Sequence, residues 1–340
     1  MWVLWTMIAE PSWFVTYKYI HFYVYLTLII IGIIGNIIII TYFIGKVYKF
    51  QIKKLSPYHF MTIQLAVVDL CLCTCVIISD PIIIYPPIIF EAFDHVKMSL
   101  STTSCWVLAM LSYERCRTIV NPFKIALKKR YILLACLLIW ICPALLYLSD
   151  LLLLDLYKVT EDRKDQGRIQ FAIMVAAIIF DCVLPTTLMG YFYFMIGRTL
   201  KKRDREMRKS VHKAPVRIVP SIESSRSESS VNKGHIRENK RHRDASKILL
   251  KLCIIYMVCV WPPRLVFASV SYIAIHHELF EFFLEYFFTI EAISYFLGAW
   301  VYVNSIANAF VYGFLDEDFR HFLLKVLTLG CLKKSPALTT

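Results

Sequence analysis

Seven long apolar stretches divide this chain, and few charged residues interrupt them. They cover roughly residues 20–44, 57–86, 90–116, 131–157, 168–197, 247–275 and 283–313. A helix needs about 20 predominantly apolar residues to cross about 30 Å of hydrocarbon. In lipid, backbone amides must be satisfied within the chain, and a helix does this segment by segment. The pattern therefore predicts an all-α integral membrane protein, a seven-transmembrane helix bundle. The third stretch is the least apolar, because Lys97, Ser99, Ser101, Thr102, Thr103 and Ser104 crowd its first half. It is assigned by its place in the series. Reading it as re-entrant would put the basic connectors on opposite sides of the membrane.

Those connectors set the orientation. Lys46, Lys49, Lys53 and Lys54 follow the first stretch, Arg117, Lys124, Lys128, Lys129 and Arg130 the third, a long basic run the fifth, and Arg320, Lys325, Lys333 and Lys334 the seventh. Between the sixth and seventh lie His276, His277, Glu278 and Glu281, with no Lys or Arg. Basic loops face the cytoplasm, so residues 1–19 form a short extracellular N-terminus and residues 314–340 a cytoplasmic eighth helix and tail. The net charge of +13 is then mostly positive-inside bias set against anionic inner-leaflet lipid, and it gives no reason to invoke nucleic acid. Met1 to Trp13 lack the basic start of a signal peptide, so the first span is expected to insert as its own signal. The basic segment of about 201–243 has too few apolar residues for a core and is expected to be disordered. Its Ser224, Ser225, Ser227, Ser229 and Ser230 suit phosphorylation or a plain solvated linker. All eleven cysteines fall in the spans or on the cytoplasmic side, so no extracellular disulfide can be drawn. No zinc-type Cys/His spacing and no glycine-rich phosphate loop occurs.

Polar residues at membrane depth stand out, since each costs a few kcal/mol there. Asp69 lies about a dozen residues from either end of the second stretch. On the seventh, Asn304, Ser305 and Asn308 share one helical face, and Ser104 adds a hydroxyl from the third. These oxygens suit a small hard cation such as sodium; they equally suit an interhelical hydrogen-bond cluster. Glu114 and Arg115 close the third stretch, where a snorkelling interface anchor is the plainer account of the arginine. Pro185, Pro262 and Pro263 remove backbone donors and bend their helices, and Trp261 sits at the second of these bends.

Taken together, the motifs resemble those of the rhodopsin-like (class A) G protein-coupled receptors over residues 20–331. Gly35-Asn36 looks like the first-helix pair, and Leu65-Ala66-Val67-Val68-Asp69 like the second-helix motif. Glu114-Arg115-Cys116 stands where Asp-Arg-Tyr is usual, with Pro122 at the expected distance. Trp140, Pro185 with Tyr193, and Trp261-Pro262-Pro263 fit the next three helices. Asn308-Ala309-Phe310-Val311-Tyr312 occupies the place of Asn-Pro-X-X-Tyr, and Asp318-Phe319-Arg320 resembles the start of a short amphipathic eighth helix.

The resemblance implies a plasma-membrane receptor, not an enzyme, that binds an extracellular ligand and activates heterotrimeric G proteins by a helix rearrangement. Arrestin and a receptor kinase are further implied partners. Glu114, Arg115, Phe123, Tyr193, Trp261 and Tyr312 would form the switch. Asp69, Ser104, Asn304, Ser305 and Asn308 would hold an allosteric sodium ion, with no other cofactor implied. Lys97, Ser101, Asp181, Arg264, Glu291 and Tyr302 would line the ligand pocket, and Cys331 would carry a lipid or remain a free thiol.

The departures carry information of their own. Phe90 stands where the family's bridging cysteine belongs, Ala309 replaces the seventh-helix proline, and Arg243-Asp244 displaces an acidic partner for Arg115. That last change predicts raised basal signalling. Lys97 stands where amine receptors carry Asp, which favours a peptide or an anionic or lipid-like small molecule over a monoamine. Tyr302 replaces an opsin's retinal lysine. Arg264 and Asp181 either present charge to a ligand or neutralise each other. Two other functions remain open: a receptor-like protein without G protein coupling, and a small transporter or channel, although no internal repeat supports the latter.

Overall fold

A computed structural model describes residues 11–49, 57–79, 87–121, 129–157, 163–213, 246–266, 268–269, 285–315 and 317–328. Phe123, Cys331, Arg243, Asp244 and the serine cluster lie outside the described residues, as do the side chains of Phe90, Ala309 and Tyr312. The helices are α1 (Ser12–Lys49), α2 (Pro57–Ser79), α3 (Pro87–Val120) and α4 (Lys129–Tyr157). Next, α5 runs as Arg163–Ile178, a π-helical turn Ile179–Val183, and Leu184–Lys213. Then come α6 (Ser246–Val266), α7 (Phe287–Leu315) and α8 (Glu317–Leu327). By length and composition, five of the helices, α1, α2, α4, α5 and α6, are apolar enough to cross a membrane. The more polar α3, and α7 with Asn304 and Asn308 in its inner half, complete the bundle, as the series of apolar stretches predicts.

The arrangement follows from which faces need burial. In α3, Ser101 through Cys105 are all buried, and the helix packs against α2, α4 and α5. Its polar half is thus enclosed by protein and not exposed to lipid. By contrast, α4 presents Leu133, Leu137, Ile141, Leu145, Leu148 and Leu152 outward, each about half exposed. Their spacing of three or four residues makes one stripe, which is the surface hydrocarbon covers. The largest core cluster joins Leu65, Leu108, Leu111, Leu252, Tyr256 and Phe319 among others.

Three features differ from the expected boundaries or add to them. First, α1 begins at Ser12, ahead of residue 20, because its outer turns have a partner on α7. Phe14 is fully buried with its ring 5.1 Å from that of Phe288. Tyr17 donates its hydroxyl to the Ala292 carbonyl at 2.8 Å, and His21 Nε2 lies 2.9 Å from the Tyr295 carbonyl. Secondly, α5 stays helical to Lys213, into the segment expected to be disordered from about 201. Arg203 there donates to the Ile119 carbonyl at 2.6 Å, satisfying one of the acceptors that the end of α3 leaves open. Thirdly, α8 lies along α1, with Phe319 buried and its ring 5.0 Å from Tyr42.

Glycine matters most at Gly32. A Cβ there would meet Cys73 Sγ at 3.0 Å and Ile306 Cγ1 at 3.1 Å, so its absence lets α1 approach α2 and α7 together. That approach positions Asn36 one turn further on.

Candidate functional site

Three clusters of polar side chains lie at successive depths along α3. At a rise of 1.5 Å per residue, Ser104 lies roughly 10 Å and Arg115 roughly 27 Å below Lys97.

The middle cluster is centred on Asp69, which is completely buried. Ser104 on α3 donates to its Oδ1 at 3.1 Å, Ser305 on α7 donates to the same oxygen at 3.0 Å, and Asn308 Nδ2 donates to Oδ2. A buried carboxylate persists only with such partners. Asn36 extends the cluster to α1, donating to the carbonyls of Gly32 at 2.9 Å and Ser305 at 3.1 Å. Asn304 is buried on the same face of α7 and makes none of the three bonds to Asp69. Asn308 Oδ1 is buried without a hydrogen-bond partner. The sequence left a cation site and a helix-gluing cluster open. The bonds present are those of the second, and the oxygen types are those of the first.

A further cluster, beside Thr102 and Cys105 of α3, centres on Asp181 in the π turn of α5. Pro185 has no N–H, so the carbonyl four residues earlier, that of Asp181, loses its helical donor. Tyr256 on α6 replaces it, donating its hydroxyl at 3.1 Å. The Asp181 carboxylate accepts a hydrogen bond from Tyr147 on α4 and pairs with Arg264 on α6 at 3.1 Å. Asp181 and Arg264 side chains are only 1% and 13% exposed, which makes this a buried ion pair. Of the two arrangements open for Arg264 and Asp181, mutual neutralisation is the one adopted.

Lys97 is likewise engaged, 2.6 Å from Asp94 three residues before it. The ammonium is covered and the carboxylate is 42% exposed, so the outward-facing charge of that pair is negative. Ser101 is buried one turn below Lys97. Trp261 packs against the main core, and its buried Nε1 has no hydrogen-bond partner. Tyr302 turns toward α1, its ring 5.6 Å from that of Tyr25. Glu291 is partly buried on α7, beside the Ala292 carbonyl that Tyr17 holds.

The inner cluster surrounds Arg115. Its guanidinium carbon sits 3.5 Å from the centroid of the Tyr58 ring, and its Nε is buried without a hydrogen-bond partner. Glu114 Oε2 is also buried and unbonded. Tyr193 of α5 lies nearby, its hydroxyl 4.0 Å from Cys253 Sγ on α6. Cys253 is in turn 3.7 Å from Ser112 Oγ on α3.

Of the residues singled out from sequence, the structure brings together Asp69 with Ser104, Ser305 and Asn308, and Asp181 with Arg264. Sequence reasoning misses Tyr58, Tyr147 and Tyr256. Only Tyr256 has a sequence signal, the carbonyl that Pro185 must leave open one helical turn before it.

Buried polar clusters enclosed in a bundle of membrane-spanning helices define a multi-pass membrane protein of the seven-helix class. The model of the 7 transmembrane receptor (rhodopsin family) matches residues 35–312, and the chain belongs to that family. It is a multi-pass membrane protein of a receptor family and not an enzyme. The chain is 24% identical to the [Phe13]-bombesin receptor of Bombina orientalis, over 92% of this chain and 76% of that receptor. It is 22% identical to Neuromedin-U receptor 2 of Mus musculus, over 91% and 75%. Octopamine receptor beta-1R of Drosophila melanogaster is 21% identical, over 88% of this chain and 60% of that receptor. The fold is similar to that of squid rhodopsin, with a TM-score of 0.68 at 14% identity, over 96% of this chain and 92% of the other.

Proposed function

We propose that this protein is a plasma-membrane receptor, N-terminus outside and C-terminus in the cytoplasm, which couples an extracellular ligand to nucleotide exchange on heterotrimeric G proteins. The observation that carries this reading is the order of polar clusters along α3. A ligand that shifts α5 and α6 through Asp181 and Arg264 moves Tyr193 on α5 relative to Arg115 on α3, because packed helices move as units. The Arg115 guanidinium carries a planar fork of N–H donors, which suits a group that must meet carbonyls of a partner protein. Phe123 and Tyr312 act with it by family resemblance. A receptor kinase acting on the serines at 224–230, followed by arrestin, is the corresponding route to silencing, and Cys331 is the lipid acceptor of the tail.

The ligand is a peptide or an anionic or lipid-like small molecule. Lys97 supports this: a ligand carboxylate can take the place of Asp94, the exposed half of the pair, on an ammonium already desolvated. Relatives named for bombesin and neuromedin U support a peptide. The Asp69 cluster fits sodium by its donor set, since Asp69, Ser104, Ser305 and Asn308 supply carboxylate, hydroxyl and amide oxygens, and Asn308 Oδ1 has no protein donor. These residues, with Asn304, would hold the ion, which would supply a positive charge to the carboxylate in the resting arrangement.

The test is GTPγS exchange on a panel of purified G proteins by the chain in lipid nanodiscs. Exchange above empty nanodiscs, abolished in Arg115→Ala at equal amounts of reconstituted protein, is expected. Ion flux without exchange would instead indicate a transporter, and neither activity would indicate a receptor-like protein without coupling.

A further inference from the structure

We infer that Tyr58 is the positioning residue for Arg115, an aromatic restraint that does the work usually expected of an acidic partner. The inference rests on the receptor reading above. Among the described residues, no carboxylate lies within ion-pairing distance of the Arg115 guanidinium, and the adjacent Glu114 leaves Oε2 buried and unbonded. What holds the guanidinium is the Tyr58 ring at 3.5 Å, well inside the ~6 Å reach of a cation–π contact. With Nε buried and unbonded, the group is anchored by its planar face and not by its hydrogen-bonding edge.

The ring is itself held in place. Tyr58 follows Pro57, whose fixed φ suits the first turn of a helix. The Tyr58 carbonyl accepts from Thr62 Oγ1 at 2.9 Å, and the Tyr58 ring lies 5.8 Å from that of His59. His59 in turn contacts Phe43 of α1 at 5.4 Å. A G protein that draws Arg115 toward the inner mouth must therefore first separate it from a ring fixed by α1 and α2. Losing the ring face should enlarge the fraction of molecules with Arg115 available. A cation–π contact of this kind corresponds to roughly 2- to 30-fold in that equilibrium.

The test compares wild type, Tyr58→Phe and Tyr58→Leu in nanodiscs by two measurements. Ligand-independent GTPγS exchange is expected to rise about 2- to 30-fold in Tyr58→Leu and to stay at the wild-type level in Tyr58→Phe, which keeps the ring face. In parallel, the 15N-arginine resonance assigned to Arg115 by Arg115→Lys is expected to be ring-shifted in wild type and Tyr58→Phe and unshifted in Tyr58→Leu. An unshifted Arg115 signal in wild type overturns the inference, as does exchange in Tyr58→Leu equal to or below wild type. Absence of exchange in wild type defeats the receptor reading; the arginine resonances then decide the Tyr58 restraint separately.

Discussion

The Tyr256 hydroxyl occupies, at 3.1 Å, the acceptor that Pro185 strips from the Asp181 carbonyl. One missing amide hydrogen in α5 is thus replaced by a phenol from α6, and the two helices are joined at a backbone atom. Leaving a buried acceptor unsatisfied costs about 1–3 kcal/mol. Tyr256→Phe keeps the ring and removes the donor, so it should lower thermal stability by that amount. In a Pro185→Ala background an amide N–H becomes available at position 185, and the same substitution should cost less. A double-mutant cycle on purified protein by thermal unfolding measures the difference; equal costs in both backgrounds would argue against the replacement.

Removing one member of a buried ion pair is more damaging than removing both, because it strands a charge. Arg264→Met alone should destabilise the bundle by about 3–5 kcal/mol, seen as loss of surface expression and a lower melting temperature. Combining it with Asp181→Asn should restore much of the loss. Failure of the double variant to exceed the single would show that the pair acts through ligand or lipid instead.

Sodium dependence offers a check on the Asp69 cluster that needs no ligand. Replacing N-methylglucamine with sodium at constant ionic strength should raise the melting temperature of wild type. Asp69→Asn should abolish the response, and Asn36→Ala, which leaves all three bonds to Asp69 in place, should keep it. An identical melting temperature in both salts would leave only the hydrogen-bond cluster.

Close approach at Gly32 predicts a size limit. Gly32→Ala should cost little if Cys73 and Ile306 shift by a few tenths of an ångström, whereas Gly32→Val should overpack the junction at about 1–3 kcal/mol. Cys73→Ala should partly rescue Gly32→Val, measured as recovered yield of monodisperse protein. No rescue would place the strain on Ile306 alone.

The bundle was legible because apolar length is a direct requirement of hydrocarbon thickness, and even polar α3 followed from its place in the series, which keeps the basic connectors on one side. The Asp69 cluster was legible because hydrophilic atoms at depth need each other. The start of α1 was not. Residues 12–19 lie ahead of the apolar stretch that begins at 20, and nothing local reveals that Tyr17 will bond to Ala292. Tyr147 was hidden for a related reason: a tyrosine in an apolar run counts as core, and its hydroxyl gains meaning only when a distant acceptor is known; the use of the Tyr58 ring depends on Arg115, which comes from another helix. Lys97 was partly legible, since opposite charges three residues apart on a helix are neighbours, and Asp94 stands at that spacing from it.

The π turn at Ile179–Val183 has a bearing on residue correspondence. One extra residue in a helical turn rotates everything beyond it by about 100°, the angle one residue subtends at 3.6 per turn. Counting outward from Pro185 at regular spacing therefore assigns the wrong face of α5 to every position before Ile179. A residue equated there with a ligand contact in a relative that lacks the turn would point to a neighbouring helix or to lipid. Any transfer of binding residues onto the outer half of α5 needs a one-residue offset at this point.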